Sequence, residues 1–156
     1  MEINKVFVVG GGLMGSGIAQ VCAQRGLEVT LCDLNAETLE RAVEGIAWSV
    51  SKLVEKGKVE GTAEQIMGHI ATCADHEAAA EADLVIEAVF EELEVKRQVL
   101  AAVDRRAPAH AILATNTIAI PITELAAATT GAERFVGLHF FSPVPMMQAV
   151  EVVRGL

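Results

Sequence analysis

The sequence predicts an α/β fold, a doubly wound, mostly parallel sheet with helices on both faces. Three observations predict it. Strand-like and helix-like stretches alternate along the whole chain. The central run Asp83-Leu84-Val85-Ile86-Glu87-Ala88-Val89-Phe90 is nearly continuously apolar, as strands buried on both faces are. The first apolar run ends in a glycine cluster that opens directly into a helix. With 156 residues, the chain suits one domain able to bury a real core.

Val6 to Val9 is β-branched and aromatic and reads as the first strand. It passes into Gly10-Gly11-Gly12-Leu13-Met14-Gly15, where Gly10, Gly12 and Gly15 fall on the G-x-G-x-x-G spacing. Gly10 permits the tight turn, Gly12 lets a pyrophosphate approach the backbone, and Gly15 lets the helix lie close against the strand. The pyrophosphate would rest on the free N–H groups and positive dipole end of that helix. Alone, the pattern also fits a glycine-rich turn between core elements. Its context is more specific, because a second strand, Glu28 to Cys32, ends in Asp33. A carboxylate about twenty residues past the glycines can accept both ribose hydroxyls and would repel a 2′-phosphate. The sheet is therefore expected to be Rossmann-type, with NAD favoured over NADP as cofactor.

The stretch from Ala36 to about Gly57 predicts a long amphipathic helix, with Leu39, Val43, Ile46, Val50, Leu53 and Val54 as its apolar stripe. Ser49, Lys52 and Lys56 stack along another line of it, and Lys58 follows the Gly57 stop. A short helix, Thr62 to about Met67, leads to strand His69 to Cys73, and another covers roughly Glu77 to Glu81. The strand Asp83 to Phe90 ends at Glu91, and a charged helix runs from Glu92 to about Arg106. Strand Ala111 to Ala114 ends in Thr115-Asn116-Thr117, and Pro121 suits the first turn of a short helix through Ala127. Strand Phe135 to His139 precedes a loop bracketed by Pro143 and Pro145. A last apolar run, Ala149 to Val153, closes the sequence. Ligands of such sheets bind beyond the carboxyl ends of the strands. That rule gathers Gly10 to Gly15, Asp33, Glu91, Asn116 and His139 on one edge.

Composition narrows the partners. The net charge of −9 leaves no basic stripe for nucleic acid and disfavours an anionic membrane surface. Cys22, Cys32 and Cys73 are scattered among apolar residues without metal-ligand spacing, and the four histidines are dispersed, so no metal site is expected. The odd cysteine count suits reduced core thiols and a cytoplasmic compartment. The uncharged run from Val6 to Ala23 is interrupted by glycines, unlike a signal peptide, and no segment is apolar enough to span a bilayer.

His139 ends a strand on the ligand edge, and Glu151 comes twelve residues later on the next strand, where it could return beside the imidazole. A carboxylate there would fix the tautomer and stabilise the imidazolium. The pair equally allows a strand-end histidine bonded to backbone and an unrelated glutamate.

The segments Val8 to Ala19, Glu87-Ala88-Val89-Phe90-Glu91, and His139-Phe140-Phe141-Ser142-Pro143-Val144-Pro145 with Val150-Glu151-Val152 resemble the NAD-binding domain of the L-3-hydroxyacyl-CoA dehydrogenase family over the whole chain. The resemblance implies reversible oxidation of a 3-hydroxyacyl-CoA to the 3-keto compound in fatty-acid metabolism, with hydride passing to NAD. It implies His139 as catalytic base and Glu151 as its partner. Gly10, Gly12, Leu13, Met14, Gly15, Asp33, Glu91, Lys96, Asn116 and Ser142 would line the cofactor. Ser49 and Lys56, helped by Lys52, would meet CoA, and Ile118 would face the substrate. Two positions depart from the family: Ile118 stands where a serine usually bonds the reacting oxygen, and Ser142 where asparagine is usual. The family's further sheet and helical domain, which closes the site and makes the dimer, lie beyond Leu156, so a missing helical domain or self-association at the exposed sheet edge is expected. A non-catalytic NAD-binding module, or a dehydrogenase for a hydroxy acid without CoA, are the alternatives.

Overall fold

A computed structural model describes residues 1–156. Seven strands form one sheet: β1 (Lys5–Val9), β2 (Glu28–Cys32), β3 (Ile70–Cys73), β4 (Leu84–Glu87), β5 (Ile112–Thr115), β6 (Phe135–Phe140) and β7 (Val150–Arg154). Their order is β3-β2-β1-β4-β5-β6-β7, with every pair parallel except β6–β7. This is the doubly wound Rossmann-like arrangement, and its topological switch lies between β1 and β4.

Five α-helices connect the strands: α1 (Leu13–Gln24), α2 (Ala36–Glu55), α3 (Ala63–Met67), α4 (Leu93–Asp104) and α5 (Ile122–Ala126). The apolar stripe of α2 buries Leu39, Ile46, Val50 and Leu53, each worth about 1.5–3 kcal/mol relative to an exposed side chain. Asn35 caps this helix by accepting from the N–H groups of Glu37 and Thr38. Lys56 ends it, and Gly57 turns the chain at φ +65°. Two apolar layers result, one on each sheet face. One is built around Val8, Ile18 and Leu31 with α1 and α2; the other is built around Phe7, Val85 and Leu100 with α4 and α5. No helix is long and apolar enough to cross a membrane.

Several boundaries differ from expectation for local reasons. The fourth strand stops at Glu87 rather than Phe90, because the Val89 N–H turns back to Glu87 Oε1 at 2.7 Å. The Glu77–Glu81 segment is a 3₁₀ helix, and Pro121 is the N-cap of α5 rather than its first residue. Two of the three cysteines meet in space, since the β2–β3 register puts Cys32 opposite Cys73. β7 forms as an antiparallel edge strand with all five of its residues exposed.

Candidate active site

The glycine turn has the backbone geometry that its spacing implied at Gly10 and Gly15. Gly10 sits at φ +109°, and a Cβ there would come within 2.5 Å of the Ala88 carbonyl oxygen. A Cβ on Gly15 would lie 1.7 Å from the Gly10 carbonyl oxygen, so only glycine lets α1 lie this close to β1. Gly12, the N-cap of α1, has open space where a Cβ would stand and no side-chain cap on the helix N–H groups. The N–H groups at the start of α1, around Leu13 and Met14, are therefore left for an anionic ligand. Asp33 Oδ2 accepts from the Gly11 N–H at 2.9 Å and Oδ1 from the Asn35 N–H at 2.9 Å, which fixes the carboxylate beside the turn.

Four large apolar side chains stand exposed at this same edge, Leu13 (76%) at the start of α1 and Leu34 (82%), Phe90 (84%) and Ile118 (72%) in the loops. They follow β1, β2, β4 and β5 respectively. A dinucleotide laid across the edge would cover apolar surface that is otherwise costly to expose. The uncapped helix, the open space at Gly12 and this apolar rim all fit the cofactor. Leu34 and Phe90 were not among the sequence candidates; their signal is an apolar residue in a loop directly after a buried strand.

Beneath the rim lies a buried ionic network. Glu87 and Lys96 have side chains 0% and 1% exposed, with Nζ 2.7 Å from Glu87 Oε1. Thr115 Oγ1 donates to Glu87 Oε2 at 2.6 Å, and the ammonium also reaches the Val89 carbonyl at 3.1 Å and Glu91 Oε2 at 3.3 Å. Glu91 Oε1 in turn accepts from the Thr117 hydroxyl and from the N–H groups of Ile118 (3.0 Å) and Ala119 (3.1 Å). Burial alone would raise the Glu91 pKa. The hydrogen bonds from Thr117, Ala119 and Ile118, with the Lys96 charge, outweigh it and hold the carboxyl below its ordinary value.

Lys96 is thus a correction. Expected to line the cofactor, it is covered completely and acts on the rim through Glu91. Asn116 is also shifted in role, since its Oδ1 accepts from the Phe140 N–H at 2.9 Å and ties the end of β5 to the end of β6. Its amide nitrogen remains for a ligand.

His139 and Glu151 come together. They are register partners across β6–β7, and Nδ1 lies 3.4 Å from Glu151 Oε2. The imidazole packs against the Phe141 ring at a centroid distance of 4.6 Å. The following loop, which carries exposed Ser142, is pinned to α1 because Gly17 leaves room for buried Val144: a Cβ on Gly17 would stand 2.8 Å from that side chain. With Nδ1 turned to the carboxylate, Nε2 is the nitrogen left to take a proton.

The expected CoA residues lie on α2. Ser49 Oγ accepts from Gln20 Nε2 at 2.9 Å, so buried Gln20 orients that hydroxyl, a relation that the sequence did not signal. Lys56 is exposed, whereas Lys52 shares its charge with Glu55 at 3.6 Å. Beside them, a groove of about 880 Å³ runs between the end of α1 and the loop after β6. Its cationic residues are Arg25 and Lys58, not Lys52 or Lys56.

Comparison with known proteins decides the family. The family model described as 3-hydroxyacyl-CoA dehydrogenase, NAD binding domain, matches residues 5–156. The chain belongs to this family. The domain is 42% identical to a probable 3-hydroxybutyryl-CoA dehydrogenase of Bacillus subtilis, over all of this chain and 55% of that protein. It is 44% identical to the 3-hydroxyadipyl-CoA dehydrogenase of Escherichia coli, again over all of this chain but only 33% of the relative. The crystal structure of an (S)-3-hydroxybutyryl-CoA dehydrogenase from Ralstonia eutropha superposes with a TM-score of 0.94 at 39% identity, covering 99% of this chain and 55% of that one. This NAD-binding domain therefore spans between about a third and about half of the length of these relatives.

Proposed function

We propose that this chain is the cofactor-binding and proton-transfer part of an NAD-dependent dehydrogenase that interconverts (S)-3-hydroxyacyl-CoA and 3-oxoacyl-CoA in fatty-acid metabolism. The His139–Glu151 pair carries the proposal, because a pure nucleotide-binding module has no use for a buttressed imidazole at the ligand edge. Bound NAD supplies the acceptor for the hydride that leaves C3. The protein's part is to take the hydroxyl proton at His139 Nε2 while Glu151 holds the ring and balances the imidazolium; a placed base of this kind is worth about 10²–10⁴ in rate. Asp33 orients the adenosine ribose, and the first turn of α1 meets the pyrophosphate. Ser49 and Lys56, with partial help from Lys52, would meet CoA. Its phosphates need local positive charge on a chain of net charge −9.

Free, partly to wholly buried thiols at Cys22, Cys32 and Cys73 support a reducing, cytoplasmic setting. Exposed Val150, Val152 and Val153 on β7 support a covering partner, either a helical domain or a second copy of the chain.

One observation favours a second reading. Ile118 is 72% exposed where the family's serine would bond the reacting oxygen, and isoleucine offers no such donor. On that reading the chain binds NAD without turning over.

The deciding experiment follows NADH with 3-hydroxybutyryl-CoA and acetoacetyl-CoA, alongside calorimetric titration with NAD. Trp48, the only tryptophan and next to Ser49, gives a fluorescence signal for CoA. Turnover that falls about 10²–10⁴-fold in His139→Ala, with NAD affinity retained, supports the dehydrogenase. NAD binding with no turnover leaves a cofactor-binding part or a silent module, and supplying a helical second domain then decides between the two.

A further inference from the structure

Cys32 and Cys73 occupy the last positions of β2 and β3 and face each other in register. Both sulfurs lie 3.1 Å from one acceptor, the Asp75 carbonyl oxygen, so the thiols share a single site. Cys32 is 1% exposed, while Cys73 is partly exposed and reachable from solvent. Their backbones belong to the cofactor turn. The Cys32 carbonyl accepts from the Gly10 N–H at 2.8 Å, and the Cys73 carbonyl accepts from the Asp33 N–H at 3.2 Å.

We propose that Cys32 and Cys73 form an oxidative modification site: a peroxide converts the pair into a disulfide, and closing it weakens NAD binding by displacing Asp33 and the glycine turn. The chemistry balances. The Cys73 sulfur, as thiolate, attacks a peroxide oxygen; the O–O bond breaks, an S–O bond forms, and the departing oxygen takes up the thiol proton as water. The Cys32 sulfur then attacks Cys73, forming the S–S bond as the hydroxyl leaves with the Cys32 proton as a second water. Two thiols lose two electrons, and hydrogen peroxide is reduced to two waters.

The order of attack follows from exposure. Burial first, and then the neighbouring Cys73 sulfur, push the Cys32 thiol well above its usual range, so Cys32 is a poor first nucleophile and the peroxide meets the more exposed Cys73. Adjacent strands stand about 4.7–4.9 Å apart. That lies inside the Cα range of a disulfide, and register partners project their Cβ atoms side by side at about the same spacing, outside the disulfide Cβ range of about 3.5–4.5 Å. Closure therefore draws the ends of β2 and β3 together, and a bond formed under such constraint is readily reduced. Asp33 is the next residue after Cys32 and takes its backbone hydrogen bond from Cys73, so this movement falls on the ribose ligand first.

The test treats the 156-residue chain with hydrogen peroxide, alkylates the remaining thiols, maps the peptides by mass, and titrates reduced and oxidised protein with NAD. The expected result is a Cys32–Cys73 cross-link with a mass loss of two hydrogens, absent in both Cys73→Ser and Cys32→Ala. The NAD Kd should rise on the order of tenfold, within the usual range for coupled sites, and return with dithiothreitol. By reciprocity, bound NAD should shift the dithiol–disulfide equilibrium toward the dithiol by the same factor. Recovery of Cys73 as sulfinic acid with Cys32 still alkylatable would overturn the site. Cross-linked protein with unchanged NAD affinity would overturn the coupling. The mass measurement is independent of whether the reduced chain binds NAD, so a failure of the cofactor reading would be seen separately.

Discussion

Replacing Lys96 by methionine removes one buried ammonium and little volume. Glu87, wholly buried, would keep only the Thr115 hydroxyl and the Val89 N–H as partners after losing the cation 2.7 Å away. Removing one member of a buried pair typically costs about 3–5 kcal/mol, because the remaining charge is uncompensated. In a domain of this size each kcal/mol moves Tm by about 2–4 °C, so Lys96→Met should lower Tm by roughly 6–20 °C. Lys96→Met/Glu87→Gln removes both charges and should recover much of the loss, whereas independent sites would lose the sum. Urea unfolding at neutral pH, with calorimetry, reads Lys96→Met, Glu87→Gln and the double variant. A single-variant loss below about 1 kcal/mol, the scale of an exposed pair, would refute the reasoning. So would a double variant that loses the sum of both singles.

Gly15→Ala places a methyl 1.7 Å from the Gly10 carbonyl oxygen, so it should abolish NAD binding and destabilise by several kcal/mol; thermal melts and calorimetry check both. Ile118→Ser restores a hydroxyl at the substrate rim and should raise turnover of 3-hydroxybutyryl-CoA by about 10²-fold or more, as measured by steady-state NADH formation. Glu91 has a folded pKa held below its unfolded value of about 4.3. Its contribution to stability is present above that pH and lost as pH falls through the folded value. Urea midpoints followed downward from about pH 5 should therefore fall less steeply in Glu91→Gln than in the parent.

The parts of this site that the sequence made legible are those governed by local rules. Gly10 and Gly15 are forced by the turn and by the close approach of α1, Gly12 belongs to the same spacing, and Asp33 is set by its place just after β2. His139 and Glu151 face each other because a short connection between antiparallel strands returns one beside the other. What escaped depended on register and depth. Lys96 sits on a charged helix and is expected beside the cofactor. Only the packing of α4 over the end of β4 shows that its ammonium is sealed against Glu87. The Cys32–Cys73 pairing needs the β2–β3 register, which spacing does not encode. Phe90 reads as part of the fourth strand, and its exposure follows from β4 ending at Glu87; the sequence carries no reading for exposed Leu34, just past β2.

β7 is held by β6 on one side only, and its exposed faces give it little burial to resist opening. Glu151 belongs to this strand, so the fraction of molecules with an assembled dyad equals the fraction in which the edge strand is docked. Anything that clamps β7 raises that fraction without touching the imidazole. The Phe140 N–H turns to Asn116 on the β5 side, so His139 and Gly137 face β7, and amide exchange at their partners Glu151 and Val153 reports how often the dyad strand is docked.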